Sequence, residues 1–474
     1  MDRAITLIVN NRQVSEIVPP AMTLLDFLRR RLHLMGTKEV CREGDCGACS
    51  VLIGEGEKDR VTYRSVTSCI FPVIKAAGKH VVTIEGLNRR GLNFLQREFL
   101  AEGATQCGFC TPGFLVSLSG YLLTHEDYSH QEAINALAGN ICRCTGYLSI
   151  ERATRKIVDQ LQAANLSSRQ KLEYLVDQQV LPPYFTNIAR RLSDLPNQTY
   201  DESVPSDGKA YLMAGGSDLY VQKEEEISKS PLLFLDSRVF SYIERDGREI
   251  VIGGGTTFEA IRHSTLLQKY IPRLPDYLNL VASLPVRNSA TVAGNIVNAS
   301  PIADLTILFL ALEARLILKS AQRERSLPLH KFYLGYKKLD KSSEEVLTEI
   351  RFTEPPDSFR FNFEKVSKRM HLDIASVNSA FSVTLAEDKI AEVRISAGGV
   401  APVPLLLSET NTYLKDREIS TSTVEEALKI ANQEISPITD IRGSAQYKRL
   451  LLRQLILAHF VTLFPDKIDL AAFV

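Results

Sequence analysis

Cys41-Arg42-Glu43-Gly44-Asp45-Cys46-Gly47-Ala48-Cys49 is the stretch that decides the first domain. It reads C-x4-C-x2-C, and Cys69 follows after 19 residues, which is the spacing of plant-type [2Fe–2S] proteins. Three thiolates on one loop and a fourth from elsewhere can ligate a two-iron cluster. The small residues between them let backbone N–H groups turn inward toward an anion. Four cysteines could also hold structural zinc, but zinc modules mostly use two short C-x2-C-like pairs.

A second set follows. Cys107-Gly108-Phe109-Cys110 is C-x2-C, and Cys142-Arg143-Cys144 is C-x-C after a gap of 31 residues. Pro112 suits the first turn of a helix that would begin just after Cys110, placing thiolates at its positive end. Gly139-Asn140 can end another helix before Cys142. The C-x2-C half alone would also suit a dithiol redox pair or half a zinc site, and C-x-C alone says little. Beside the first set, together they point to a second [2Fe–2S] cluster.

All eight cysteines lie within the first 144 of 474 residues, so the chain divides into a thiol-bearing part and a cysteine-free remainder. That length implies three or four domains. Basic and acidic residues balance at 56 each, which gives no electrostatic grip on nucleic acid or an anionic membrane. The N-terminus lacks a signal-like apolar core, and no run approaches the roughly 20 apolar residues of a membrane span. A soluble, cytoplasmic protein whose cysteines serve metal or redox chemistry is therefore expected.

The expected fold is α+β and multidomain. Residues 1–88 read as strand, turn at Asn10-Asn11, strand, helix capped by Thr23 with Asp26, then the cysteine loop: a β-grasp plant-type [2Fe–2S] domain. Residues 89–162 carry helical periodicity at Phe114, Leu118, Tyr121 and Leu122, at Ile134 and Leu137, and at Ile150, Ala153, Ile157 and Leu161, which predicts a helical-bundle [2Fe–2S] domain. Residues 163–185 read as linker, residues 186–350 as an α+β FAD-binding domain, and residues 351–474 as its α/β C-terminal subdomain with a closing helix over Tyr447 to Phe464.

The cysteine phrases, with Gln106-Cys107-Gly108-Phe109-Cys110-Thr111-Pro112-Gly113, make the first 162 residues resemble the iron–sulfur module of the xanthine dehydrogenase family of molybdenum hydroxylases. The rest is similar to that family's flavin module. Its glycine clusters alone read as tight turns, and neither G-x-G-x-x-G nor a P-loop occurs. The resemblance implies that Leu212, Met213, Ala214, Gly215, Gly216, Ser217, Asp218 and Leu219, with Thr291, Val292, Ala293, Gly294 and Asn295, contact an FAD diphosphate. Backbone N–H groups would approach the diphosphate, with Ser217 or Thr256 adding a hydroxyl. Asp304, Leu347 and Lys365 match positions lining the cofactor. Two departures stand out: Ala293 replaces a frequent family glycine, and Val281 falls where some members place an aromatic ring. Arg369 and Asp373 fall on the family pattern Arg-x-x-x-Asp-Ile-Ala, and Ser436 to Ser444 on its closing motif; structural ion pairing would explain these charges equally well.

The resemblance implies a wire rather than a substrate site. Electrons would arrive from a molybdopterin on a partner subunit near the Cys107/Cys110/Cys142/Cys144 cluster and Gln106. They would pass the Cys41/Cys46/Cys49/Cys69 cluster, reach FAD, and leave to NAD+ while hypoxanthine and xanthine are oxidised to urate. A large molybdopterin-binding subunit is the expected partner, in a heterotetramer with two of each chain. A related hydroxylase acting on an aldehyde or another heterocycle remains open. So do a stand-alone electron carrier and an acceptor other than NAD+, since no nicotinamide motif is legible.

Overall fold

The first apolar run forms the strand Arg3–Val9, which turns at Asn10-Asn11 and returns as Arg12–Val18 with Val9 opposite Arg12. Asn10 takes the left-handed conformation (φ 53°) that such a turn demands and that asparagine tolerates. The computed structural model describes residues 2–161, 167–196, 209–235, 237–369 and 372–473. The expected linker residues 163–166, most of the stretch leading to Gly208, and the two residues after Arg369 in its motif lie outside these.

The described residues fall into two compact units: Met1–Asp201 with Tyr211–Phe234 and Ser283–Ser289, and Glu202–Ala210 with Leu235–Ala282 and Ala290–Val474. In the first, His80–Val82 pairs parallel to Arg3–Val9 and antiparallel to Ser50–Glu57, which pairs in turn with Arg60–Thr67. The Thr23 hydroxyl accepts from the Asp26 N–H and donates to its carboxylate, starting the helix Leu24–Asp26 that continues through Phe27–Arg31. Leu24, Leu25, Phe27 and Leu28 are buried in one core with Leu7, Val51 and Val66. One helix packed with a five-stranded sheet is the β-grasp arrangement.

Four helices follow, Phe94–Ala101, Thr111–Thr124, His130–Leu137 and Leu148–Gln160. Thr111–Thr124 is buried almost throughout because it packs inside the bundle and on the strands Ser50–Glu57 and Arg60–Thr67. Where a linker was expected, Ser168–Asp177 is a helix, and Leu175, Val180, Leu181 and Phe185 join the bundle core. Phe185 packs on Tyr63 and His80, and Ile188, Leu192 and Leu195 pack with Ile8. Residues 186–195, expected to open the flavin domain, thus complete the first unit. The short parallel strands Tyr211–Met213 and Leu232–Phe234 also belong there, with Met213, Tyr220 and Phe234 in the β-grasp core.

The second unit has an antiparallel sheet in the order Glu324–Pro328, Arg315–Lys319, Val346–Thr353, Glu249–Gly253, Ile243–Asp246. The strand Val346–Thr353 runs straight through the division expected at residue 350. A four-stranded antiparallel sheet, Phe359–Val366, Val377–Ala386, Lys389–Gly398 and Leu405–Leu406, packs with the helices Asp304–Ala311 and Ala445–Leu463. Among the described residues no helix is long and apolar enough to cross a membrane.

Each unit buries a neutral histidine. His80 lies between the Tyr63 hydroxyl (2.8 Å) and the Asn10 carbonyl (2.9 Å), and His459 between Asn362 (2.9 Å) and the Ser379 hydroxyl (3.0 Å). Burial lowers both to about 3. Between pH 6.5 and 3 the unfolded chain binds protons that these sites refuse, so stability falls as pH falls through that window. Each histidine should remove about 2 kcal/mol by pH 5. Thermal unfolding at pH 7.5 and 5.0 checks this: the melting temperature drops on acidification, and His459→Gln shrinks the drop. Equal melting temperatures at the two pH values contradict the assignment.

Candidate functional site

The loop Cys41 to Cys49 is held from below by Arg42, whose guanidinium pairs with Asp26 (2.7 Å) at the helix start and with Glu39 (2.7 Å). Cys69 enters from the one-turn helix Ser68–Ile70 after strand Arg60–Thr67. The sulfurs form a chain of neighbours: Cys41 reaches Cys46 and Cys69, and Cys69 reaches Cys49. Backbone N–H groups point at them as well, from Glu43 to Cys41 (3.4 Å), from Ala48 to Cys46 and from Gly44 to Cys69. Hydrogen bonds from Cys46 and then Cys69 hold the Cys41 thiol well below its usual range, while Cys46 and Cys69 are held above theirs, each first by Cys41.

In the second set, Cys110 is the N-cap of Thr111–Thr124 with Pro112 in the first turn, as the sequence predicts. Cys107 and Cys144 lie 3.5 Å apart and exposed, and Cys110 neighbours Cys142. Thr145 gives Cys142 both its hydroxyl (3.1 Å) and its N–H (3.5 Å); burial opposes ionisation there, but these bonds bring the thiol below its usual range. Burial pushes Cys110 up to about 12.

A lone tetrahedral zinc ion needs every thiolate beside the other three. Among the described residues no three His, Cys, Asp or Glu side chains form such a single-ion group. The second set's thiols neighbour two by two and the first set's form a chain linked through Cys41 and Cys69; with N–H groups aimed at sulfur, both sets fit a two-iron cluster, each iron taking two cysteines.

The two loops touch. The Ile141 N–H, one residue before Cys142, donates to the Cys46 carbonyl at 3.0 Å. A Cβ on Gly113 would stand 2.5 Å from the Gly47 carbonyl, and one on Gly47 would strike the Gly139 carbonyl. Only glycine permits this approach at Gly47 and Gly113. None of these contacts is readable from cysteine spacing.

The expected flavin residues divide between the units. In the first, the loop after Met213 leaves the N–H groups of Gly215, Gly216 and Ser217 uncommitted among the described residues, and the Lys75 ammonium donates to the Ala214 carbonyl. Free N–H groups with a nearby cation suit a diphosphate. Lys75, far away in sequence, carried no signal.

In the second unit the picture corrects the expectation. The N–H groups of Val292, Ala293, Gly294 and Asn295 already donate to Thr256, Gly254 and Thr291, and Thr256 exchanges hydrogen bonds with Tyr242. Gly253, Gly254 and Gly255 donate to Tyr242, Thr348 and Phe240. These glycines close-pack chain segments, and Thr256 has no hydroxyl to offer a phosphate. The packing nevertheless gathers the predicted residues: the Gly254 Cα faces the Leu347 carbonyl, and Asn295 accepts from the Thr306 N–H (3.2 Å) beside Asp304. Lys365 donates to Asp304 (2.8 Å) and to the Leu280 carbonyl (2.8 Å), while Asn378 donates to the other Asp304 oxygen (2.6 Å). Val281 is buried in the same neighbourhood. The Arg369 N–H donates to the Asp373 carboxylate at 2.9 Å, and Asp440 of the closing motif pairs with buried Lys448.

Four family descriptions match in succession along the chain. Residues 7–73 match the family described as "2Fe-2S iron-sulfur cluster binding domain" and 83–155 "[2Fe-2S] binding domain". Residues 197–355 match "FAD binding domain in molybdopterin dehydrogenase" and 363–462 "CO dehydrogenase flavoprotein C-terminal domain". The chain is similar to xanthine dehydrogenase 1 of Arabidopsis thaliana (28% identity over 89% of this chain and 37% of that one) and to aldehyde oxidase 2 of Macaca fascicularis (26%, 97% and 39%). It therefore spans less than two-fifths of these relatives. Among solved structures, carbon monoxide dehydrogenase from Hydrogenophaga pseudoflava aligns at TM-score 0.51 and 26% identity, over 55% of this chain and 95% of that one. Quinoline 2-oxidoreductase from Pseudomonas putida 86, at 22% identity and TM-score 0.50, shares the fold. The matches support the molybdenum hydroxylase family and two [2Fe–2S] domains with an FAD-binding domain; they do not single out xanthine.

The Lys365–Asp304 pair is buried, with side chains 2% and 12% exposed. Asp304→Ala strands the ammonium in a dry site and should cost about 3 kcal/mol. Asp304→Ala with Lys365→Met should recover most of that loss. Urea unfolding of the three proteins decides it: a double variant no more stable than the single one would mean that the pair is not coupled.

Proposed function

We propose that this chain is the electron-transfer subunit of a molybdenum hydroxylase, carrying electrons from a molybdopterin-bearing partner through two [2Fe–2S] clusters to FAD. The observation that carries the reading is the Ile141 N–H to Cys46 carbonyl bond. It joins a ligand residue of one cysteine set to the neighbour of a ligand in the other, giving a short through-bond route between them. Isolated metal-binding modules have no need of such a link.

When bound, the clusters would each pass single electrons and the flavin would hold two. The chain supplies placement. Cys107 and Cys144, exposed at one face, mark where electrons would enter, and Cys49 and Cys69 lie buried at the other end of the cysteine chain. Burial strengthens the N–H···S bonds on Cys49 and Cys69 and holds charge without solvent rearrangement. The loop Ala214 to Leu219 would hold the FAD diphosphate through the N–H groups of Gly215, Gly216 and Ser217, and Lys365, held by Asp304, would present its charge toward the cofactor. Thr291 to Asn295 would shape the site by packing instead of donating.

Xanthine with NAD+ as acceptor is our preferred substrate pair, since xanthine dehydrogenases stand among the most similar relatives. The match to a CO dehydrogenase flavoprotein domain favours a hydroxylase of another substrate equally. Both readings need a large molybdopterin-binding partner, in a heterotetramer on our reading.

Iron, acid-labile sulfide, FAD and molybdenum analysis of the protein from its source tests the proposal. Roughly four irons and one FAD per chain are expected, with molybdenum in a larger co-purifying subunit. Zinc in place of iron, or no flavin, overturns it, and a chain that purifies alone with its iron and flavin points to a free carrier.

A further inference from the structure

Asn140 lies between the two cysteine loops, 4% exposed, two residues before Cys142. Its Nδ2 donates to the Gly47 carbonyl at 3.0 Å and stands 3.5 Å from the Ser50 hydroxyl. Because the 3.0 Å partner is a carbonyl, the amide edge facing it must be the NH2. The Oδ1 is left buried with no hydrogen-bond partner, at a cost of about 1–3 kcal/mol. The side chain is thus held for its donor alone.

The geometry next to it gives that donor a purpose. The Ile141 N–H holds the Cys46 carbonyl and the Asn140 side chain holds the Gly47 carbonyl, so consecutive residues of one loop grip consecutive carbonyls of the other. One hydrogen bond would let the loops pivot about it; two side by side remove that freedom. We propose that Asn140 is a positioning residue that fixes the separation of the two cluster loops, and with it the coupling between the clusters. This rests on reading both cysteine sets as [2Fe–2S] sites.

The test is electron paramagnetic resonance of the full-length chain with both clusters reduced. Two clusters held at fixed short range split each other's signals, and the splitting reports their separation, which a purely stabilising residue would leave alone. Asn140→Asp keeps the volume but turns an oxygen toward the Gly47 carbonyl, and should lose splitting while retaining wild-type iron. Gly113→Ala pushes a methyl 2.5 Å from the Gly47 carbonyl and 2.9 Å from Asn140 Nδ2 and should do the same. A lower melting temperature with unchanged splitting overturns the proposal. If Asn140→Asp binds less iron, Gly113→Ala decides: full iron and wild-type splitting overturn it. A wild-type chain without iron refutes the cluster reading itself, a separable failure.

Discussion

The Gly47 carbonyl is the point on which the thiol-bearing half depends. Three pieces of chain converge there: the loop carrying Cys41, Cys46 and Cys49, the start of the helix after Cys110, and the turn before Cys142. Gly113 and Gly47 come closer to their neighbours' carbonyls than any Cβ would allow, and Asn140 reaches in by its side chain. A β-grasp sheet and a helical bundle could be tethered by chain alone; here they share a surface at backbone distance. The helix Thr111–Thr124 then lies on the strands Ser50–Glu57 and Arg60–Thr67, and Leu52 and Tyr63 belong to the bundle core.

What could be read from the sequence was what is local. The Asn10-Asn11 turn, the Thr23–Asp26 cap and Pro112 at a helix start all act within a few residues, and each holds in the structure. What escaped was decided by distant partners. Ser168–Asp177 looks like linker because its surface is polar, and its few apolar residues find a core only because the bundle is already there. Ser283–Ser289 sits far along the chain, yet Asn288 donates to the Ser65 carbonyl and Val286 packs with the β-grasp core. Periodicity carries no record of such pairings, since the stabilising burial comes from the partner rather than the segment.

The same limit explains the flavin half. Its glycine clusters are visible, but whether a glycine bares an N–H to a ligand or admits a neighbouring chain depends on what stands opposite. At Gly215 and Gly216 no acceptor among the described residues takes the N–H groups. At Gly253 to Gly255 and Ala293 to Asn295 every N–H is taken. Sequence patterns of equal strength thus have opposite chemical meaning, and only three-dimensional bookkeeping of donors separates them.

Both halves break the same rule of stable interiors in the same way. Asn140 and Asn378 are buried amides that use their NH2, on the Gly47 carbonyl and on the Asp304 carboxylate, and leave the Oδ1 unpaired. Beside Asn378 the chain also buries a lysine and an aspartate, although a packed apolar pair would often be no less stable. Stability alone selects against such arrangements, because an unsatisfied oxygen and two desolvated charges both cost free energy. Their placement, one between the cysteine loops and one among the residues matching cofactor-lining positions, follows if geometry at those points matters more than the last few kcal/mol. Polar groups misplaced as structure make sense as supports for whatever redox group each half holds.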